Sequence, residues 1–180
     1  MQLSLKGLED IQAWQKAGIR LPKNNQLKMR DLTAKNPTWV HFGAGNIFRG
    51  FIAALQQDLL DKGLAETGII AAETFDYEII KKIYDPFDNL TLMVTLRASG
   101  ELDKNIIASI AQGIRADSSD AEEWAKLKAI FVKPSLQMVS YTITEKGYAL
   151  RDVKGELLPV VVSDMKSGPD APKHAMSVTA

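Results

Sequence analysis

The chain has no cysteine among its 180 residues, which excludes disulfide frameworks, thiolate zinc sites and cysteine nucleophiles. Histidine is nearly as scarce. His41 and His174 are too few for a multi-histidine metal site unless carboxylates dominate it. Neither sign of charge is in excess, with 22 basic against 22 acidic side chains. That removes any overall electrostatic reason to expect nucleic acid or an anionic membrane as partner. No apolar run approaches the ~18 residues a spanning helix needs. The opening Met1-Gln2-Leu3-Ser4-Leu5-Lys6 lacks the order of a signal peptide. Apolar residues make up 46% and charged ones 24%, so disorder and coiled coil are poor fits. A cytoplasmic protein with an ordinary core is expected: one domain, or a large domain with an appendage.

Residues 1–37 read as a polar, helical N-terminal extension. Leu8, Ile11, Trp14 and Ala17 recur at helical spacing, and Leu21-Pro22-Lys23-Asn24-Asn25 punctuates the chain after them. From Trp39 onward the pattern changes. Trp39-Val40-His41-Phe42 is a short strand ending in Gly43-Ala44-Gly45, followed by helically spaced Ile47, Phe51, Leu55 and Leu59 up to Lys62-Gly63. Gly68-Ile69-Ile70-Ala71-Ala72 is a continuous apolar run, as expected of a strand buried on both faces of a parallel sheet. Together these make a right-handed βαβ unit. A second short helix is expected over 76–84. Residues 90–96 and 106–114 read as an antiparallel pair joined around Ser99-Gly100. A helix capped by Ser119 runs from there to about Lys133, and an apolar strand covers 136–143. Residues 149–172 read as a small hairpin around Lys154-Gly155 followed by loop, and 173–180 as the start of a further helix. The fold class is therefore α/β: a Rossmann-like, mainly parallel twisted sheet with helices on both faces and an added antiparallel pair, spanning 38–172.

The strand-to-helix turn carries the chemistry. Gly43 permits a tight turn, and Gly45 lets backbone N–H groups come close to an anion at the positive end of the helix. The third glycine of a full dinucleotide fingerprint is replaced by Phe48. A plain packing turn is the competing reading. Glu73 follows the second strand, where an acid can hold the adenosine ribose hydroxyls and repel a 2′-phosphate, favouring NAD over NADP. The alternatives are a solvated strand-end acid, or Asp76 in that role. Arg49, in the first helical turn, suits a bound phosphate or carboxylate, or else pairs with Asp58 or Glu73. His41 reads as a hydrogen-bonded core residue rather than a catalyst. The three tryptophans read as packing residues.

Two motifs carry a family resemblance. Trp39-Val40-His41-Phe42-Gly43-Ala44-Gly45-Asn46-Ile47-Phe48-Arg49-Gly50 resembles the N-terminal signature of the mannitol dehydrogenase family, the polyol-specific long-chain dehydrogenases that include fructuronate and tagaturonate reductases. Ser140-Tyr141-Thr142-Ile143-Thr144-Glu145-Lys146-Gly147-Tyr148 resembles that family's strand ending in Thr-Glu-Lys-Gly-Tyr. The segments 89–94, 106–110 and 168–173 also fall where the family has corresponding elements, so the resemblance covers nearly everything from Trp39 onward. It departs at Ile47-Phe48-Arg49, where members often carry an aromatic-His-Arg triplet.

The resemblance implies a Rossmann-like domain that binds NAD(H). It places Gly43, Ala44, Gly45, Asn46, Ile47 and Arg49 along the pyrophosphate, Glu73 at the ribose, and Thr144 and Glu145 toward the nicotinamide. It also implies hydride transfer between the nicotinamide and a polyol or keto-sugar acid such as mannitol/fructose or mannonate/fructuronate. The family's catalytic lysine, asparagine and histidine lie in a later helical domain, and no matching segment occurs before Ala180. The chain is therefore expected to be a cofactor-binding fragment, inactive alone, with no catalytic residue and no metal ligand of its own. An S-adenosylmethionine-dependent methyltransferase and a non-catalytic nucleotide-sensing domain are the rival readings.

Overall fold

Every residue of the strand Ile69–Glu73 is buried, and the fold is arranged around it. The structure, a computed structural model, describes residues 1–169 and Pro172; the helix start expected over 173–180, with His174, lies outside the described residues. In chain order the strands are β1 (Ile19–Arg20), β2 (Trp39–Phe42), β3 (Ile69–Glu73), β4 (Thr91–Leu96), β5 (Leu102–Ile107), β6 (Ile110–Arg115) and β7 (Met138–Tyr141). The α-helices are α1 (Ile11–Lys16), α2 (Gln26–Lys35), α3 (Ala53–Asp61), α4 (Ala121–Phe131) and α5 (Pro159–Ser167).

Strands β6, β3, β2 and β7 lie side by side in that order, all parallel. The chain builds outward from β2 through β3 to β6, then crosses back to place β7 on the far side of β2. The order therefore reverses between β2 and β7, and a crevice at the carboxyl ends of such strands is where open α/β sheets bind ligands. Alternation along β3 feeds two cores. Ile69 and Ala71 join Phe48, Ala53, Ile80, Tyr84 and Ile110 on one face; Ile70 and Ala72 join Val40, Phe42, Ile114 and Leu127 on the other. Helix α3 thus covers one face and α4 the other. Burying each isoleucine fully contributes about 1.5–3 kcal/mol, which explains the unbroken apolar run.

The antiparallel pair exists, but its second strand begins earlier and ends sooner than expected. β4 pairs with β5, Thr91 opposite Ile107 and Leu96 opposite Leu102, while the apolar run 106–114 is split between two sheets. Ala108 donates its amide to Gln57 Oε1 at 2.8 Å, and Ser109 donates its hydroxyl to the Ala53 carbonyl at 2.5 Å. The break then sends β6 into the parallel sheet beside β3.

The first 37 residues are built into the domain. β1 adds a parallel edge to β5, and Trp14, Ile19 and Met29 are buried. Besides the expected first helix, the segment contains α2, which Asn25 caps by accepting from the Lys28 amide at 2.9 Å. The paired asparagines mark a helix start, not merely a turn. At α4 the cap is Asp120, which accepts from the Glu123 amide, in place of the expected Ser119. The region expected to be loop after the Arg151–Leu157 bridge contains α5, opened by Pro159 and closed by Gly168 at φ 72°. Among the described residues no helix is long and apolar enough to cross a membrane.

Candidate functional site

β2 ends at Phe42, and the following turn is held by three strands. Gly43 has φ 102°, a left-handed conformation that favours glycine. A Cβ there would sit 2.6 Å from the Thr142 carbonyl oxygen, so this glycine is pressed against the segment following β7. Its amide donates to the Ala72 carbonyl at 2.9 Å. The peptide joining Gly43 and Ala44 is then pinned at both ends. Its carbonyl accepts from Thr142 Oγ1 at 3.3 Å, and its N–H donates to Glu73 Oε2 at 2.8 Å. The next carbonyl, Ala44 O, accepts from the buried Tyr84 hydroxyl at 2.8 Å. Burial holds the Tyr84 hydroxyl well above its ordinary pKa, so it remains a donor.

Because a trans peptide points its N–H opposite its carbonyl, fixing Ala44 O also fixes where the Gly45 N–H points. Gly45 has nothing within 4 Å of where a Cβ would lie. Its carbonyl accepts from the Arg49 amide at 3.1 Å, which makes it the residue capping the helix. The first-turn amides that follow, of Asn46, Ile47 and Phe48, therefore have no intrahelical acceptor. A π-helical turn, Phe48–Ile52, follows before α3; such turns recur at functional sites. Asn46 and Ile47 are exposed over this opening.

Arg49 lies beside the same turn. Its Nη2 donates to Asn46 Oδ1, and its Nε is buried without a partner. Among the described residues it forms an ion pair with neither Asp58 nor Glu73. Glu73 is itself only 8% exposed. Oε1 accepts from the amides of Thr74, Phe75 and Asp76 at 3.1, 3.0 and 3.3 Å, and Oε2 accepts from Ala44. A carboxylate offers about four acceptor positions, so Oε1 is saturated and Oε2 retains one. Glu73 is therefore not a solvated strand-end acid; it ties the glycine turn to the end of β3. Asp76 is exposed.

On the opposite side of β2, Thr144 stands exposed just past β7, and Glu145 opens the 3₁₀ turn Glu145–Tyr148; the Glu145 side chain lies outside what the structure describes. His41 is a buried core residue. Its Nδ1 lies 2.7 Å from Ser140 Oγ and its Nε2 2.9 Å from Thr142 Oγ1, and its ring stacks on Phe48. The turn thus draws together Gly43, Ala44, Gly45, Asn46, Ile47, Arg49 and Glu73; Thr144 lies past the end of β7. Tyr84 and Thr142 escaped the sequence reading. The signal for Tyr84 is its place in an expected helix, and for Thr142 its place within the Ser140–Tyr148 motif, two positions after Ser140.

The residues fit a phosphate-bearing ligand on two counts: free space where a Gly45 Cβ would lie, and an orphaned, buried guanidinium N–H on Arg49 in the turn that follows. Concavities elsewhere are of a different kind. One of about 570 Å³ lies at the tip of the β4–β5 hairpin, and one of about 250 Å³ between α2 and the end of α3. Neither is lined by a residue of the turn. Among the described residues no group of three or more acidic or histidine side chains could hold a metal ion.

No family model matches the chain. It is 46% identical over all 180 residues to the D-mannonate oxidoreductase of Thermotoga maritima, spanning 33% of that protein. It is 29% identical over 138 residues, 75% of the chain, to the polyol:NADP oxidoreductase of Gluconobacter oxydans, spanning 27% of it. Among solved structures, D-sorbitol dehydrogenase in substrate-free form superposes with a TM-score of 0.70 at 26% identity, covering 89% of this chain and 31% of that one. The Pseudomonas fluorescens mannitol 2-dehydrogenase, in a ternary complex with NAD and D-mannitol, gives 0.68 at 24%, covering 86% and 30%. The chain therefore spans about a third of the length of the relatives it matches.

Proposed function

We propose that the chain is a member of the mannitol dehydrogenase family, which its likeness to D-mannonate oxidoreductase and D-sorbitol dehydrogenase supports, and that its glycine turn holds the pyrophosphate of NAD(H) for a polyol or sugar-acid oxidoreductase. The observation that carries this reading is the unpaired, buried Nε of Arg49, the residue whose amide bonds the Gly45 carbonyl, together with the open space where a Gly45 Cβ would lie. The amides of Gly45, Asn46 and Ile47 would receive the phosphate oxygens, and Arg49 would supply the charge that offsets them. Gly43 and Ala44 would shape the turn without donating, since both amides are committed within the protein.

Glu73 would accept one ribose hydroxyl through the free position on Oε2, and its negative charge would disfavour a 2′-phosphate. Thr144 and Glu145 would border the nicotinamide. When bound, NAD supplies the two-electron hydride acceptor or donor of the reaction. This chain's own contribution is to bind and orient the dinucleotide. Substrates of the mannitol/fructose or mannonate/fructuronate type, and the proton exchange at their hydroxyl, would depend on residues in the portion of the relatives that this chain does not span.

Titration with NADH, followed by fluorescence of the three tryptophans, tests the reading. Saturable binding that weakens roughly tenfold in Arg49→Gln, the loss of one charge-assisted contact, is the expected result. An unchanged affinity in that variant would remove Arg49 from the site, and no binding at all would refute the assignment.

A further inference from the structure

We propose that His41 is a positioning residue for the dinucleotide cradle, the middle link of a one-way hydrogen-bond chain running from Trp39 to the carbonyl of Gly43. The inference rests on the dinucleotide reading above. It follows from counting donors. The Trp39 indole N–H can only donate, so Ser140 Oγ, 2.7 Å away, accepts from it. The hydroxyl's other hydrogen-bond neighbour is His41 Nδ1, at 2.7 Å, and the single hydroxyl hydrogen goes there. Nδ1 is then the acceptor and the ring hydrogen sits on Nε2. Nε2 donates to Thr142 Oγ1 at 2.9 Å, and Thr142 turns its own hydrogen onto the Gly43 carbonyl at 3.3 Å.

In this arrangement every hydrogen has one acceptor. The opposite tautomer would leave the Ser140 hydrogen without an acceptor and would draw the Thr142 hydrogen away from Gly43. Burial also lowers the imidazole pKa to about 4, so the ring carries one hydrogen at neutral pH.

The same ring stacks on Phe48 with centroids 4.1 Å apart and planes within 6°. One side chain on β2 therefore touches both the segment that follows β7 and the first turn of the phosphate-facing helix. Its output is the orientation of the peptide between Gly43 and Ala44, whose other end is anchored by Glu73. With that plane fixed, the amides that follow are preset before any ligand arrives, which reduces the ordering cost of binding.

Two measurements on the full chain test the proposal. The first is the histidine tautomer, read from imidazole ¹⁵N shifts at pH 7, where the Nε2–H form of His41 is expected. The second is NADH affinity in Thr142→Ser, which keeps the hydroxyl, and Thr142→Val, which replaces it with a methyl of similar size. Thr142→Ser should bind within about twofold of the parent, and Thr142→Val roughly tenfold more weakly, the value of one hydrogen bond. An Nδ1–H ring, or parent-like binding by Thr142→Val, overturns the proposal while leaving the dinucleotide reading intact. Failure of the parent chain to bind NADH overturns both. Should Thr142→Val not fold, the tautomer decides alone.

Discussion

The carboxylate of Glu73 accepts a 2.8 Å hydrogen bond from the amide of Ala44, 29 residues earlier in the sequence. An acid at the end of the second strand thereby becomes a structural part of the turn after the first. Its two oxygens together satisfy four backbone donors, and three of those belong to the residues just beyond β3. Two loops at the carboxyl edge of the sheet are thus locked into one surface.

Glu73→Ala should accordingly be a folding variant as well as a binding one. It leaves buried amides without acceptors, at about 1–3 kcal/mol for each that water cannot reach. A net loss on the order of 3 kcal/mol by chemical denaturation is expected. Glu73→Gln, which keeps one carbonyl acceptor, should lose less. Equal stability of Glu73→Ala and the parent would mean that the carboxylate does not hold the turn.

The two glycines should behave oppositely. Gly43→Ala places a methyl 2.6 Å from the Thr142 carbonyl in a left-handed conformation, so it should lower stability by about 2 kcal/mol or more. Gly45→Ala meets nothing within 4 Å and should melt within a few degrees of the parent, yet lose NADH affinity because its methyl enters the ligand's space. Thermal melts and NADH titrations of both variants check the pair. Equal effects on stability would contradict it.

Much of this was legible in the sequence. The βαβ unit stood out because glycine turn, helical periodicity and buried strand each have their own local signature. The bounds of β4's partner strand did not. The run 106–114 is apolar throughout, and its break at Ala108 and Ser109 is imposed by Gln57 and Ala53, which are 51 and 56 residues away. The site divides the same way. The turn itself is legible in Gly43-Ala44-Gly45, whereas the bonds that fix its carbonyls come from Tyr84 and Thr142, which are 40 and 99 residues from their acceptors.

Tyr84→Phe removes the hydroxyl that anchors the Ala44 carbonyl. A loss of about 1 kcal/mol in stability is expected for one buried hydrogen bond, together with weaker NADH binding, because the Gly45 N–H is no longer held in direction. Denaturant unfolding gives the first quantity and fluorescence titration the second. Stability that falls while affinity is unchanged would show that the Ala44 carbonyl does not aim the cradle.

Acid should act through His41. Its pKa in the folded protein is lowered to about 4 from an ordinary 6.5, chiefly by burial. Between those values the unfolded chain binds a proton that the folded chain does not, so stability falls as pH drops through that window. The stabilisation is fully present above about pH 6.5, and the loss from this group, on the order of 3 kcal/mol, is complete below about pH 4. Replacing His41 with Gln should flatten that part of the profile. An equally steep acid slope in His41→Gln would assign the effect to other groups.

The most direct measurement of the central claim is a ¹H–¹⁵N titration of the labelled 180-residue chain with NADH. The largest shifts are predicted at the amides of Gly45, Asn46 and Ile47 and at the Arg49 Nε–H, reaching saturation together. Shifts absent from those four groups, or confined to the hairpin tip around Arg97 and Asp103, would contradict a dinucleotide cradle at this turn.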